Sequence, residues 1–127
     1  TNGGIGDDNP GDTDGHGTHV AGSALGDGSN SDGQYRGMAF DSKLWFYSAY
    51  HTSGCNGGVG LWMPHSTTID SLLFQPAYDA GARIHSNSWG NDPSNSAPNY
   101  YNLNSRAIDL ASYEYDDMVI LFAIGNE

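Results

Sequence analysis

The stretch that most constrains this chain lies near its C-terminal end: Met118 to Ile124, MVILFAI, is apolar at every position. Successive side chains of a strand point to opposite faces, so a strand with one wet face alternates apolar and polar residues. This segment does not alternate. It therefore predicts a strand covered on both faces, as in the middle of a parallel sheet flanked by helices. Parallel neighbours can be reached only through crossover connections, which the rest of the sequence must supply.

The other segments fit that demand. Lys43 to Tyr50, KLWFYSAY, is apolar and aromatic and suits a buried strand, and Arg83 to Trp89, RIHSNSW, reads as another. Helical spacing links Val20, Ala21, Ala24 and Leu25 between His16 and Leu25, where the small residues permit close packing. A second helix is expected from Thr68 to about Ala80, with Ile69, Leu72, Leu73 and Phe74 on one broad face and Gly81 as its stop. Pro76 predicts a kink or an early end there. A third runs from about Leu103 to Tyr115, with Leu103, Ala107, Leu110, Ala111 and Tyr115 inward. The order helix, strand, helix, strand, helix, strand implies an α/β fold with a parallel sheet and right-handed crossovers. Only three strands are visible, and the one that reads as central comes last.

Between these elements the sequence is turn chemistry. Residues 1–15 form a glycine- and aspartate-rich loop, 26–37 a second, 51–67 a mobile loop with Gly54, Gly57, Gly58 and Gly60, and 91–99 a polar turn. The aspartates explain much of the charge. Of 15 acidic residues 13 are Asp and 2 are Glu, and Asp favours loops and helix caps over helix interiors. With 4 basic residues the net charge is −11, which argues against nucleic acid or an anionic membrane as partner. Charged residues make up 15% and aromatics 12%, so the chain is not a charge-dense disordered tail. No run approaches the ~18 apolar residues of a membrane span, and the polar first residues do not read as a signal peptide. Its 127 residues suffice for one domain with a modest core. The single cysteine, Cys55, rules out an intramolecular disulfide and reads as an incidental loop residue.

The chemistry-bearing signal is His16-Gly17-Thr18-His19-Val20-Ala21-Gly22. A His at the start of a helix can project its ring into a cleft, and His is the side chain best suited to move protons near neutral pH. Zinc ligation by His16 and His19 is disfavoured, since their spacing is i,i+3 and the segment has no Glu.

HGTHVAG resembles the block around the catalytic His of the subtilisin-like serine proteases, or subtilases. Ser88-Trp89-Gly90, ending RIHSNSWG, is similar to the S-x-G segment that pairs with substrate backbone in that family. Ala123-Ile124-Gly125-Asn126-Glu127 is similar to the block that carries the oxyanion-hole Asn. GARIHSNSWG and ILFAIGNE look closest to the oxidatively robust alkaline protease branch of the KP-43 type. The resemblance extends over almost the whole chain from Asp12 onward. It implies a three-layer, parallel-sheet subtilisin-like α/β fold, present as a fragment, and a serine endopeptidase that works through an Asp-His-Ser triad and an acyl-enzyme.

By that resemblance His16 is the general base, Asn126 donates to the oxyanion, and Ser88, Trp89 and Gly90 offer an edge to a polypeptide substrate. The other triad members are expected elsewhere. Nothing before His16 has an apolar strand ending in D-[ST]-G, and Asp12 and Asp14 abut His16 in a loop. No G-T-S-M-A block is present, and Ser23, Ser53 and Ser88 lack that context. Residues 1–127 are thus expected to be a partial catalytic domain, inactive alone, with the remainder of the domain as partner and exposed edges prone to self-association. No cofactor is expected for catalysis. Structural calcium is an option the family leaves open; Asp27 and Asp32 are read as a solvated acidic loop, and no ligands are assigned. Trp62 and Met63 fit a substrate pocket or ordinary packing. The expected setting is extracellular. The rival reading is a non-catalytic interaction module on a degenerate subtilase fold.

Overall fold

The computed structural model describes residues 12, 15–47, 50–51, 60–61, 66–90 and 100–125. The first element is helix α1, His16–Leu25, with the bounds that the sequence predicts. Gly15 stands at its N-cap with φ 83° and brings no side chain to cap it. Asp12 does so from upstream: its Oδ1 accepts from the Gly15 N–H at 3.0 Å and its Oδ2 from the Thr18 N–H at 2.6 Å. Residues 26–42 fold back on the C-terminal end of α1. The Gly37 and Ala39 N–H groups donate to the carbonyls of Gly26 and Ala24 at 2.7 and 2.8 Å.

The segment from Lys43 departs from expectation. Residues 43–47 enter no ladder, although Trp45 and Tyr47 stack at 6.4 Å as neighbours two apart on an extended chain would. An aromatic run signals burial but names no pairing partner. The ladder begins later: β1, Tyr50–His51, pairs antiparallel with β2, Gly60–Leu61, within what reads as a glycine-rich loop.

The second predicted helix forms through Pro76 rather than ending there. Proline has no N–H to give to the Leu72 carbonyl, and the turn before it widens to a π-helix, Asp70–Phe74, in which the Gln75 N–H reaches back to the Asp70 carbonyl. It continues into α2, Gln75–Asp79. Gly81, at φ 93°, closes it: its N–H donates to the Tyr78 carbonyl and that of Ala82 to Ala77, the two bonds of a Schellman stop.

Strand β3, Ile84–Asn87, runs parallel to β4, Val119–Phe122, in the register Ile84 with Val119 and Asn87 with Phe122. The crossover is α3, Leu103–Glu114, opened by a capping box between Asn102 and Ser105. The helices cover one face of this sheet. Ile69, Leu73 and Phe74 meet Ala111, Tyr115 and Met118 in the core, with Ile120 and Phe122 of β4 packed against them. On α3 the inward side is Ala107, Ile108, Ala111 and Tyr115, whereas Leu103 and Leu110 are exposed. At 100° per residue those two leucines fall 80–100° to one side of Ala111, off the stripe that faces the core.

The other face of the sheet is open. Val119 is 54% exposed and Leu121 50%, beside exposed Ile84 and Ser86, so β4 is covered on one face and not on both. An uninterrupted apolar run allows two covers without supplying them; among the described residues β4 pairs with β3 and packs on one helical layer. This is an α/β arrangement of helices on a small parallel sheet.

Candidate active site

Because β3 and β4 are parallel, the segments that follow them leave the sheet at the same end. Ser88–Gly90 follows Asn87, and Ala123–Gly125 follows Phe122. The Ala123 N–H donates to the Asn87 carbonyl at 3.0 Å, which carries the pairing one step past the ladder and holds the two exits side by side. Ligands of open α/β sheets gather at this carboxyl end. Ser88 and Trp89 are half-buried and Gly90 is exposed. Ala123 and Ile124 are exposed, and Gly125 turns the chain at φ 108°, which favours a residue without a Cβ. Asn126 lies outside the described residues, as do Ser53, Cys55, Trp62 and Met63.

Trp89 is fixed from two sides. Its ring meets Phe122 edge-on at 5.0 Å, and its Nε1–H donates to Asn87 Oδ1 at 3.0 Å. Asn87 is only 4% exposed. Its Nδ2 donates to the Leu121 carbonyl at 3.0 Å and lies 3.0 Å from His85 Nδ1. His85 packs on Phe74 at 4.9 Å, and burial among apolar neighbours pushes its pKa below the usual value of 6.5. In sequence RIHSNSW reads as a plain strand, and this polar chain beneath the exits does not stand out from it. Its signal was present: His85, Asn87 and Trp89 are two apart and share the inward face, where a strand ordinarily carries apolar residues.

His16 is the first residue of α1 and is exposed. Beside it, Asp12 is exposed and has both carboxylate oxygens engaged by backbone N–H groups. Its pKa is held down chiefly by hydrogen bonding from Thr18, with the proximity of His16 a lesser cause. Gly17 lets α1 approach residue 46: a Cβ built there would lie 3.1 Å from Phe46 Cζ. Tyr47, next along, packs against the main core, so residues 46 and 47 connect α1 to it. Among the described residues, no hydrogen bond, ion pair or ring contact links His16 to Ser88–Gly90 or Ala123–Gly125.

The acidic loop does not form a side-chain cation cage. Asp27 Oδ1 accepts from the Ser29 N–H at 2.9 Å, Asp32 is exposed, and among the described residues no three His, Cys, Asp or Glu side chains converge. A 360 Å³ hollow there is lined by Gly26–Ser31 and Tyr35, none of them a site residue. Among the described residues no helix is long and apolar enough to cross a membrane.

Comparison with known proteins now bears on these segments. A family model described as the subtilase family, Peptidase_S8, matches residues 1–127. The chain belongs to the subtilase family. Among curated proteins it is 38% identical over 122 residues to the serine protease/ABC transporter B family protein tagB of Dictyostelium discoideum, covering 94% of this chain and 6% of that protein. The corresponding tagD protein is 37% identical over 122 residues with the same coverage. A subtilisin of Bacillus sp. (strain TA39) is 54% identical over 43 residues, 34% of this chain and 10% of its own. The chain thus spans a small part of the length of the curated relatives it matches. No solved structure matches it at a significant level.

Proposed function

We propose that these residues are part of the catalytic domain of a serine endopeptidase, in which His16 is the general base, Asn126 an oxyanion donor, and Ser88–Gly90 the edge that receives a polypeptide substrate. The reading rests on one observation above all. The S-W-G segment and the segment that leads to Asn126 leave parallel β3 and β4 side by side, in a chain of the subtilase family. A peptide added along Ser88–Gly90 would lie beside the end of β4, from which the chain leads to the proposed oxyanion donor, and exposed Gly90 lets its backbone approach closely. GARIHSNSWG and ILFAIGNE support placing the parent in the alkaline branch of the KP-43 type, and an extracellular setting suits a protease with this acidic, loop-rich surface.

The 127 residues contain neither an apolar strand ending in D-[ST]-G before His16 nor a G-T-S-M-A block, so the nucleophile and its carboxylate partner come from the remainder of the catalytic domain. That remainder is also the natural cover for the exposed apolar face of β3 and β4, which left bare favours self-association. No cofactor takes part in the reaction, and any calcium would have a structural role.

The test compares this chain with the full-length protein on casein and a chromogenic peptide. Residues 1–127 alone should give no rate above background. The full-length protein should cleave both, and His16→Ala should lower kcat by about a hundredfold or more. Turnover by residues 1–127 alone, lost on His16→Ala, would overturn the division of the triad. A full-length protein that binds peptides without cleaving them would favour a non-catalytic interaction module.

A further inference from the structure

We infer that Asn87 is a positioning residue for substrate, holding the Ser88–Gly90 edge in register with the end of β4 through its bond to the Trp89 indole; this rests on the reading of that edge as the substrate strand. The amide orientation is fixed from both sides. Indole N–H can only donate, so Asn87 presents Oδ1 to Trp89; the Leu121 carbonyl can only accept, so Nδ2 faces β4. The same residue's backbone carbonyl accepts from Ala123. One buried side chain therefore ties the last residue of β3 to β4 on one side and to the middle residue of S-W-G on the other.

His85 completes the arrangement. With the Asn87 amide donating, His85 Nδ1 must accept, which makes the ring neutral with its proton on Nε2. The ring fills the space between Asn87 and Phe74 and keeps the amide from turning. Without the indole bond, Trp89 keeps its apolar packing against Phe122 and the core but loses the polar tie that fixes its position, and Ser88–Gly90 can shift relative to β4. A peptide that pairs with this backbone needs both its N–H and C=O partners in place at once, so a shift weakens peptide binding first. Chemistry that does not use the edge is spared.

The experiment uses the full-length protein. Peptide cleavage is followed with a tetrapeptide p-nitroanilide, and serine reactivity independently with phenylmethanesulfonyl fluoride. Asn87→Ala should raise KM for the tetrapeptide about fivefold, the worth of the one buried hydrogen bond that reaches the edge, while the sulfonylation rate changes less than twofold. Trp89→Phe keeps a ring against Phe122 and removes the N–H. It should raise KM by a similar factor, and it carries the test by itself if Asn87→Ala does not fold. The double variant should be no worse than the more affected single one, because both remove the same bond. Unchanged KM, multiplying effects of the two substitutions, or sulfonylation falling in step with peptide cleavage would each overturn the inference. A wild-type protein inert to both reagents would instead overturn the protease reading, and the inference with it.

Discussion

Between His16 and Tyr47 the chain buries one residue, Gly37, and α1 buries none. Among the described residues between Ile69 and Met118 seven hydrophobic residues are buried, and Phe74 and Ile69 are fully enclosed. The first region is assembled from turn hydrogen bonds, an aspartate cap and close glycine contacts; the second from an apolar core under a parallel sheet. Each carries a different part of the proposed site: the proton-transfer candidate stands on the first, the substrate edge on the second. The edge belongs to a packed unit that shapes it from within. His16 stands on a helix that buries no residue of its own and meets the core only through the close approach of Gly17 to Phe46 and the packing of Tyr47, among the described residues.

The strongest test of this contrast is to damage the packed unit. Phe74 touches both the helical cluster and the His85 ring, so its side chain joins the core to the polar chain beneath the site. Phe74→Ala should destabilise the protein by about 3–5 kcal/mol, read from the urea midpoint, because a large void opens where neighbours cannot collapse. A loss below about 1.5 kcal/mol, within the range of volume-conserving swaps, would mean the core is centred elsewhere.

The complementary test breaks the first region alone. A Cβ at Gly37 would stand 2.7 Å from backbone atoms of Ala24, Leu25 and Gly26, and main chain cannot rotate aside as a side chain can. Gly37→Ala should cost about 1–3 kcal/mol as an overpacked contact and expose the Gly37 and Ala39 amides to hydrogen exchange. The amides of Val119 and Ala123, which bond to Arg83 and Asn87, should keep their protection. If they lose it together, the two regions are one cooperative unit and the contrast fails.

What the sequence made legible follows the same division. The bounds of α1 and the Gly81 stop rest on local chemistry, and local chemistry is what residue types report. The inward faces of Ile69, Leu73 and Phe74 were readable from spacing. Pairing was not. Lys43–Tyr47 has the composition of a strand, but composition does not say which chain offers the hydrogen bonds. MVILFAI allows cover on two faces and carries no record of whether it is present. Leu103 and Leu110 are apolar yet lie beside the stripe that the core selects. The polar chain of His85, Asn87 and Trp89 was hidden because polar residues in a short strand read as wet until something shows them facing inward.

The smallest expected effect tests whether that polar chain depends on a neutral His85. The ring is faced by Phe74 and the Leu73 backbone from the helical layer and by the Asn87 amide from its own strand. Burial lowers its pKa most, while hydrogen bonds to Leu73 and Asn87 act weakly in the other direction. A lowered folded pKa means that, on acidification, the unfolded chain takes up a proton that the native ring still refuses. Stability therefore rises with pH through this window. The contribution is complete above the usual histidine value of 6.5 and is lost as pH falls through the lowered native pKa. Between about pH 7.5 and pH 5.5 the urea midpoint should fall more for the wild-type protein than for His85→Phe, whose ring keeps the contact with Phe74 and cannot titrate. Protonation at Nδ1 would set one donor against another at Asn87, so the Trp89 indole proton resonance should hold its position until the pH reaches the lowered native pKa and move only there. Gly37→Ala should leave both responses unchanged. A pH response that vanished on Gly37→Ala would place its origin in the loosely held region instead.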